Sequence, residues 1–387
     1  MIRILPIMIK AQELAALVKL RQSLHAYPEL SGQETGTRER VTDFIQDIAP
    51  EAKIVEAGKG FLAIFEGTAE GPATMIRAEL DALPIQEVND LSYKSTKAGI
   101  SHKCGHDGHM CMVAGLAYAL TEKPPAKGKV VLLFQSAEET GQGAQWMLED
   151  SAFQALNPDC AFALHNLPGY PLHQVLLCEG TFCAASVGMK IALKGKTAHA
   201  SHPEIGTSPA GALSRLAPLV TAIPQAEGAF TDFVLVTVTH MGLGAPTFGV
   251  SPGAGELWLT LRGHQDTDLA MLKHLIETEA RRIAKEEALE VEFSYHEAFE
   301  ATVNHSEALT QLKNAAEAAG LGIAALDAPN RWSEDFGLFL QQSQGAMFGL
   351  GAGIDQPALH NPDYDFPDEL IETGIKVFWG VIQELNY

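Results

Sequence analysis

The sequence predicts an α/β protein: a mixed, largely parallel sheet with helices on both faces, interrupted by an inserted domain of ferredoxin-like βαββαβ order. Three observations carry that prediction. Short apolar runs at 61–65, 74–79, 129–134 and 160–164 alternate with helical stretches. Runs without a polar face are strands buried on both sides, as in a parallel sheet covered by helices. Acids and a histidine then fall at or just beyond the ends of three runs: Glu79 and Asp81, Glu138 and Glu139, and His165. Open α/β sheets gather their ligands outside the carboxyl ends of the strands. The third observation is a change of pattern after about residue 182.

Taken in order, residues 11–25 form an amphipathic helix with Leu14, Leu17, Val18 and Leu24 on one face. It ends near Tyr27-Pro28, because the residue ahead of a proline avoids helical backbone. Helices over about 107–122 and 141–151 separate the central strands. The insert then reads strand 188–194, helix 206–222, strands 233–240 and 256–262, helix 266–288 and strand 289–295, which is βαββαβ. These limits place one domain at 1–181 and 296–387, and an inserted domain at 182–295. The first domain resumes with a helix at 306–319 and ends with one at 368–385.

A length of 387 residues exceeds one ordinary domain. With 27 basic against 48 acidic residues the chain carries −21, which argues against nucleic acid or an anionic membrane as partner. An anionic small substrate stays possible, since a metal site supplies local positive charge. Five irregularly spaced cysteines make no disulfide framework. The apolar start, Met1 to Ile9, is too short for a membrane span and lacks a clear cleavage site, so the expected location is cytoplasmic.

The chemistry concentrates in Cys104-Gly105-His106-Asp107-Gly108-His109 and in Glu138-Glu139, which follow the run Val130-Val131-Leu132-Leu133-Phe134. A Cys-Gly-His by itself reads as a surface loop around a buried thiol. With His109 and an acid pair beside it, it reads as a catalytic metal centre in which one carboxylate binds metal and its neighbour moves protons. Adjacent residues at a strand end point in different directions, as that division of labour requires. Cys and His suit zinc, while carboxylates also admit manganese. His165 and His360 are histidines of ambiguous role, and His199 taken singly is a loop histidine of the insert. Asp81, His109 and Arg262 are further candidates for supporting or substrate contacts. No Gly-x-Ser-x-Gly elbow or P-loop is evident and there is no Cys-x-x-Cys pair, so serine hydrolysis, phosphate transfer and a structural zinc cluster lack a starting point.

Several segments together resemble the M20 metallopeptidase and amidohydrolase family, in the branch of hippurate hydrolases, N-acyl-amino-acid amidohydrolases and auxin-conjugate hydrolases. They are His25-Ala26-Tyr27-Pro28-Glu29-Leu30-Ser31, Arg77-Ala78-Glu79-Leu80-Asp81-Ala82-Leu83-Pro84, the Cys104 to His109 run, Phe134-Gln135-Ser136-Ala137-Glu138-Glu139, Ser333-Glu334-Asp335-Phe336, and Leu359-His360-Asn361-Pro362-Asp363-Tyr364. The resemblance implies two divalent metal ions, Zn2+ or Mn2+, held by Cys104, His106, Glu139, His165 and His360, with Cys104 as a bridge. It implies Glu138 as general base and His199 as a satellite-domain group that polarises the scissile carbonyl of a neighbouring subunit. It also implies a small-molecule amide substrate and a homodimer made through the satellite domain. Dipeptide hydrolysis and non-catalytic binding on the same scaffold are the alternatives. The chain departs from the family at Glu79, where Asp is usual, at Gly249, where an Asn often helps hold the substrate carboxylate, and at Gln344-Gly345 in place of Pro-Gly.

Overall fold

A computed structural model describes residues 9–387, so the apolar start over 1–8 lies outside the described residues. The strands, in chain order, are β1 (Lys53–Ala57), β2 (Gly60–Glu66), β3 (Ala69–Glu79), β4 (Lys127–Gln135), β5 (Cys160–Leu167), β6 (Val175–Leu177), β7 (Gly180–Cys183), β8 (Ala185–Lys194), β9 (Ala198–His199), β10 (Val234–Leu243), β11 (Val250–Ser251), β12 (Ala254–Gly263), β13 (Glu290–Phe299), β14 (Thr302–Asn304), β15 (Ile323–Ala325) and β16 (Gln344–Gly351). The chain divides into two compact units. One runs to Phe182 and resumes over Thr302–Ala328 and Asp335–Tyr387; the other is Cys183–Ala301 with Pro329–Glu334.

The first unit is built on an eight-stranded sheet of order β1-β2-β4-β3-β5-β16-β6-β15. Its centre is parallel, β4 on β3, β3 on β5 and β5 on β16, while β1, β2 and the β16–β6 pair run antiparallel. The predicted mixed, largely parallel α/β sheet is therefore present. Along β4, Val130, Leu132 and Phe134 join the core made with helices Ala11–Ala26, His106–Glu122, Ser306–Ala318 and Leu370–Asn386. The alternating Val131 and Leu133 are equally buried on the opposite face. Burial on both faces explains why this strand has no polar side.

Strand ends differ from expectation in one consequential place. β5 does not stop at residue 164; it stays paired in parallel with β16 through Leu167↔Gly351. His165 therefore projects from inside a strand, where it pairs with Gly349 of β16.

The second unit is a four-stranded antiparallel sheet of order β10-β12-β8-β13 with helices Ala210–Ala222 and Asp266–Glu286. That is the βαββαβ order. Its core is uniformly apolar: Met189, Ile191 and Leu193 of β8 meet Leu257, Leu259 and Leu261 of β12 and Leu272 and Ile276 of the long helix. This unit begins at Cys183 and extends to Ala301, beyond the expected 295, because β13 continues past a bulge to pair Phe299 with Ser186. It also takes in 329–334, which Arg262 ties down by donating to the Arg331 carbonyl and the Ser333 hydroxyl, each at 2.9 Å.

Candidate metal centre

Four segments of the first unit bring donor atoms to one place. The first is the turn before the His106–Glu122 helix. Gly105 has φ +96°, and a Cβ there would lie 2.5 Å from the Asn166 side chain. Only glycine allows Cys104 and His106 to close over β5 in this way. The second segment is the Ala137-Glu138-Glu139 turn after β4, the third is His165 within β5, and the fourth is His360, whose N–H donates to the Lys103 carbonyl at 2.8 Å. Ala137 and His360 both hold positive φ, at 54° and 64°. Such backbone costs a residue with a Cβ about 1–2 kcal/mol and persists only where surroundings enforce it.

Cys104 Sγ lies 3.4 Å from His165 Nε2. His106 Nε2 is 3.7 Å from Glu138 Oε2 and 3.9 Å from Glu139 Oε1, and His360 Nε2 is 3.7 Å from Glu139 Oε1. Ligands sharing a tetrahedral cation at 2.0–2.3 Å sit roughly 3.3–3.8 Å apart, so the spacings of 3.4 and 3.7 Å match donors around shared ions and that of 3.9 Å lies just beyond. Two triads, Cys104–His106–His165 and Cys104–Glu139–His360, each keep their donor atoms within 4.8 Å of one another. Cys104 belongs to both. Asp81–His106–Glu138 and Glu79–His106–His109 form two further groupings.

The imidazoles are prepared for a cation by their other nitrogens. His106 Nδ1 donates to the Asp81 carbonyl and His165 Nδ1 to the Asn166 carbonyl, both at 2.9 Å. A carbonyl can only accept, so each proton is fixed on Nδ1 and each Nε2 faces the cluster. His106 Nε2 is buried without a hydrogen-bond partner. Without a compensating charge the electrostatics are uneven. Burial, with Glu139, Glu138 and Glu79 nearby, pushes the Cys104 thiol well above its ordinary range. Burial opposes protonation of His106, but Asp81, Glu79 and Glu139 outweigh it and lift the imidazole to about 10. Burial, reinforced by His109, lowers His165, and burial lowers His360. A divalent cation would replace the extra proton on His106 and ionise the thiol, so the donor set fits a metal.

Surrounding side chains hold these segments. Asp81 accepts from Ser31 Oγ at 2.7 Å and the Glu139 N–H at 2.9 Å. His109 bridges Glu79, at 2.8 Å from Nδ1, and Asn166 Oδ1, at 2.5 Å from Nε2. The departure at Glu79 thus gives a carboxylate long enough to reach both His109 and Arg77. Asn166 Nδ2 donates to Tyr364 Oη at 2.6 Å, and Arg77 continues to Asp335 at 2.8 Å. The sequence does not single out Asn166, Arg77 or Tyr364. The last two lie in the motif segments, but nothing local marks them.

His199 belongs to the second unit, on a short ribbon where it pairs with Val250. Its Nδ1 accepts from the Ser201 N–H at 3.1 Å, which leaves the proton on Nε2. The Gly249 carbonyl accepts from Ala200 N beside it. Arg262 is in the same unit and is committed to Arg331 and Ser333.

The pattern of peptidase family M20/M25/M40 matches residues 75–384. An N-acetyl-L-cysteine deacetylase of Bacillus subtilis is 31% identical over 92% of this chain and 84% of its own length. An N-acetyldiaminopimelate deacetylase of Geobacillus is 30% identical over 94% of this chain and 96% of its own length. A Bacillus subtilis crystal structure, described as a dinuclear metal binding peptidase of the M20 family, superposes with a TM-score of 0.83 at 25% identity, covering 97% of this chain and 99% of that one. From the end-to-end relatives and the matched pattern together, the chain belongs to peptidase family M20/M25/M40 and is an enzyme of that family.

Proposed function

We propose that this amidohydrolase cleaves the amide bond of N-acyl amino acids with two divalent ions, zinc or manganese, held by Cys104, His106, Glu139, His165 and His360. One observation carries the reading: five donors from four separate segments meet at shared-ion spacing, with the proton of His106 and of His165 fixed on the ring nitrogen away from the cluster. Bound there, the ions would polarise the scissile carbonyl and acidify a water from about 15.7 towards ~7.

Glu138 takes the proton of the attacking water and returns it to the leaving amine. Its carboxylate is 5% exposed and lies 3.7 Å from His106 Nε2, and it is the acid of the pair outside the proposed ligand set. His199 of a neighbouring subunit donates its Nε2–H to the developing oxyanion, as the family resemblance implies, the Ser201 bond to Nδ1 having fixed that tautomer. Asp81 and His109 hold ligands in place. The relatives named for N-acetylcysteine and N-acetyldiaminopimelate support an acyl-amino-acid substrate. A homodimer through the second unit and a cytoplasmic location complete the proposal. Among the described residues, no helix is long and apolar enough to cross a membrane.

The test is a panel of N-acetyl and N-benzoyl amino acids set against dipeptides, with metal content measured in parallel. Hydrolysis of the acyl amino acids with two bound ions is the expected result. Exclusive dipeptide cleavage would overturn the substrate class.

A further inference from the structure

We propose that Glu34 is the positioning residue that aims Glu138. The proposal rests on Glu138 being the general base and adds what holds it in place. Glu34 precedes the Thr35–Ile48 helix, yet its carboxylate turns inward and is 4% exposed. Oε2 accepts from Ser136 Oγ at 2.6 Å, and Oε1 accepts from the Ala137 N–H at 2.8 Å and the Gly32 N–H at 2.9 Å. The partners are neutral donors, two of them in the residues immediately ahead of Glu138.

The turn they hold is one the chain would not keep unaided. Ala137 sits at φ 54°, a region an L-residue with a Cβ avoids. Its N–H is taken by Glu34 and its carbonyl by the Gly143 N–H at 3.0 Å. Gly143 has no room for a side chain, since a Cβ there would lie 1.7 Å from the Ser136 carbonyl. On the far side Asp335 accepts from the Ala144 N–H at 2.9 Å and Gln135 Nε2 at 2.8 Å. The turn is therefore clamped from both ends, and Glu34 supplies the clamp nearer the base. Releasing it leaves Ala137 free to relax out of the left-handed region, which would swing the Glu138 carboxylate off its line.

The experiment compares Glu34→Ala, Glu34→Ala/Ala137→Gly and Ser136→Ala with the wild-type holoenzyme, reading kcat, KM, bound metal and thermal midpoint. Alanine removes both acceptor oxygens, which glutamine would largely replace. Glu34→Ala is expected to lower kcat about tenfold to a hundredfold with KM and bound metal nearly unchanged, the size of a small misplacement of a reacting group. Glycine adopts positive φ freely, so Ala137→Gly in the Glu34→Ala background should restore about threefold to tenfold of kcat. General loss of packing would not be rescued this way. Wild-type kcat in Glu34→Ala, or an equal loss with and without Ala137→Gly, overturns the proposal. If Glu34→Ala does not fold, Ser136→Ala decides: removing one clamp bond should lower kcat about fivefold, and wild-type kcat overturns the proposal. Glu138→Gln measured alongside keeps the two readings apart. Activity surviving there removes the base, whereas an inactive Glu138→Gln beside a fully active Glu34→Ala removes only the clamp.

Discussion

The two units of this chain bury different things. The first encloses Arg21, His25, Glu34, Arg77, Glu79, Asp81, Glu87, Lys103, His106, Asp107, His109, Glu138 and His165, whereas within Cys183–Ala301 the buried polar side chains are Ser186, His264 and Asp268. Buried charge is expensive unless it is paired and hydrogen-bonded. The first unit meets that cost with chained pairs: Arg21 binds Asp107, Asp107 binds His25, His25 binds Glu87, and Glu87 binds Lys103. The second unit follows the simpler rule of an apolar core under a sheet. Polar residues are concentrated where the chemistry is placed, and the supporting network keeps them there.

The largest expected effect tests the chemical half of that contrast. Glu138→Gln should lower kcat about a hundredfold to ten-thousandfold while retaining both metals, since general-base catalysis commonly contributes that much. Turnover and elemental analysis check it; full activity removes the base assignment. Next comes the apolar half. Leu257 is fully buried in the second unit, and Leu257→Ala should cost about 2–5 kcal/mol in denaturant unfolding. Metal affinity should be untouched. A matching fall in metal affinity would show that the two units do not divide the work as described.

The His25 network gives a smaller, pH-dependent effect. Burial alone would depress His25, but its bonds to Asp107 and Glu87 hold it up at about 9, against 6.5 when free. The folded chain therefore binds a proton that the unfolded chain releases between those values. This contribution is fully present below 6.5 and is lost as pH rises through 9, on the order of 3 kcal/mol. Unfolding free energies at several pH values should fall more steeply across that window in wild type than in His25→Gln. Parallel slopes would mean that His25 does not hold its proton. The smallest effect belongs to the exposed pairs of the second unit. Arg282→Ala, which loses contacts with Glu279 and Glu286, should change stability by less than about 1 kcal/mol.

The contrast also explains what the sequence revealed. β2, β4 and β5 are legible because burial on both faces leaves uninterrupted apolar runs. β1, with its mixed exposure, and the three-residue β6 and β15 carry no such signal, so these strands near the edges of the sheet were missed. The βαββαβ unit reads clearly because its strands and helices each keep one apolar face. At the site, Cys104, His106, Glu138 and Glu139 announce themselves by spacing. Glu34 and Asn166 do not, because their roles depend on partners far along the chain: Ser136 lies 102 residues from Glu34, and Tyr364 lies 198 from Asn166. Arg262 is a candidate for a supporting or substrate contact, and its bonds to Arg331 and Ser333 become visible only once the short 329–334 stretch is seen beside β12.

The most direct test of the metal centre is X-ray absorption on protein loaded with zinc, with metal counted per chain, in wild type and in Cys104→Ser. Two ions per chain and a sulfur shell near 2.3 Å that disappears in the variant are expected. One ion or fewer in wild type, or a sulfur shell that survives loss of Cys104, would contradict this.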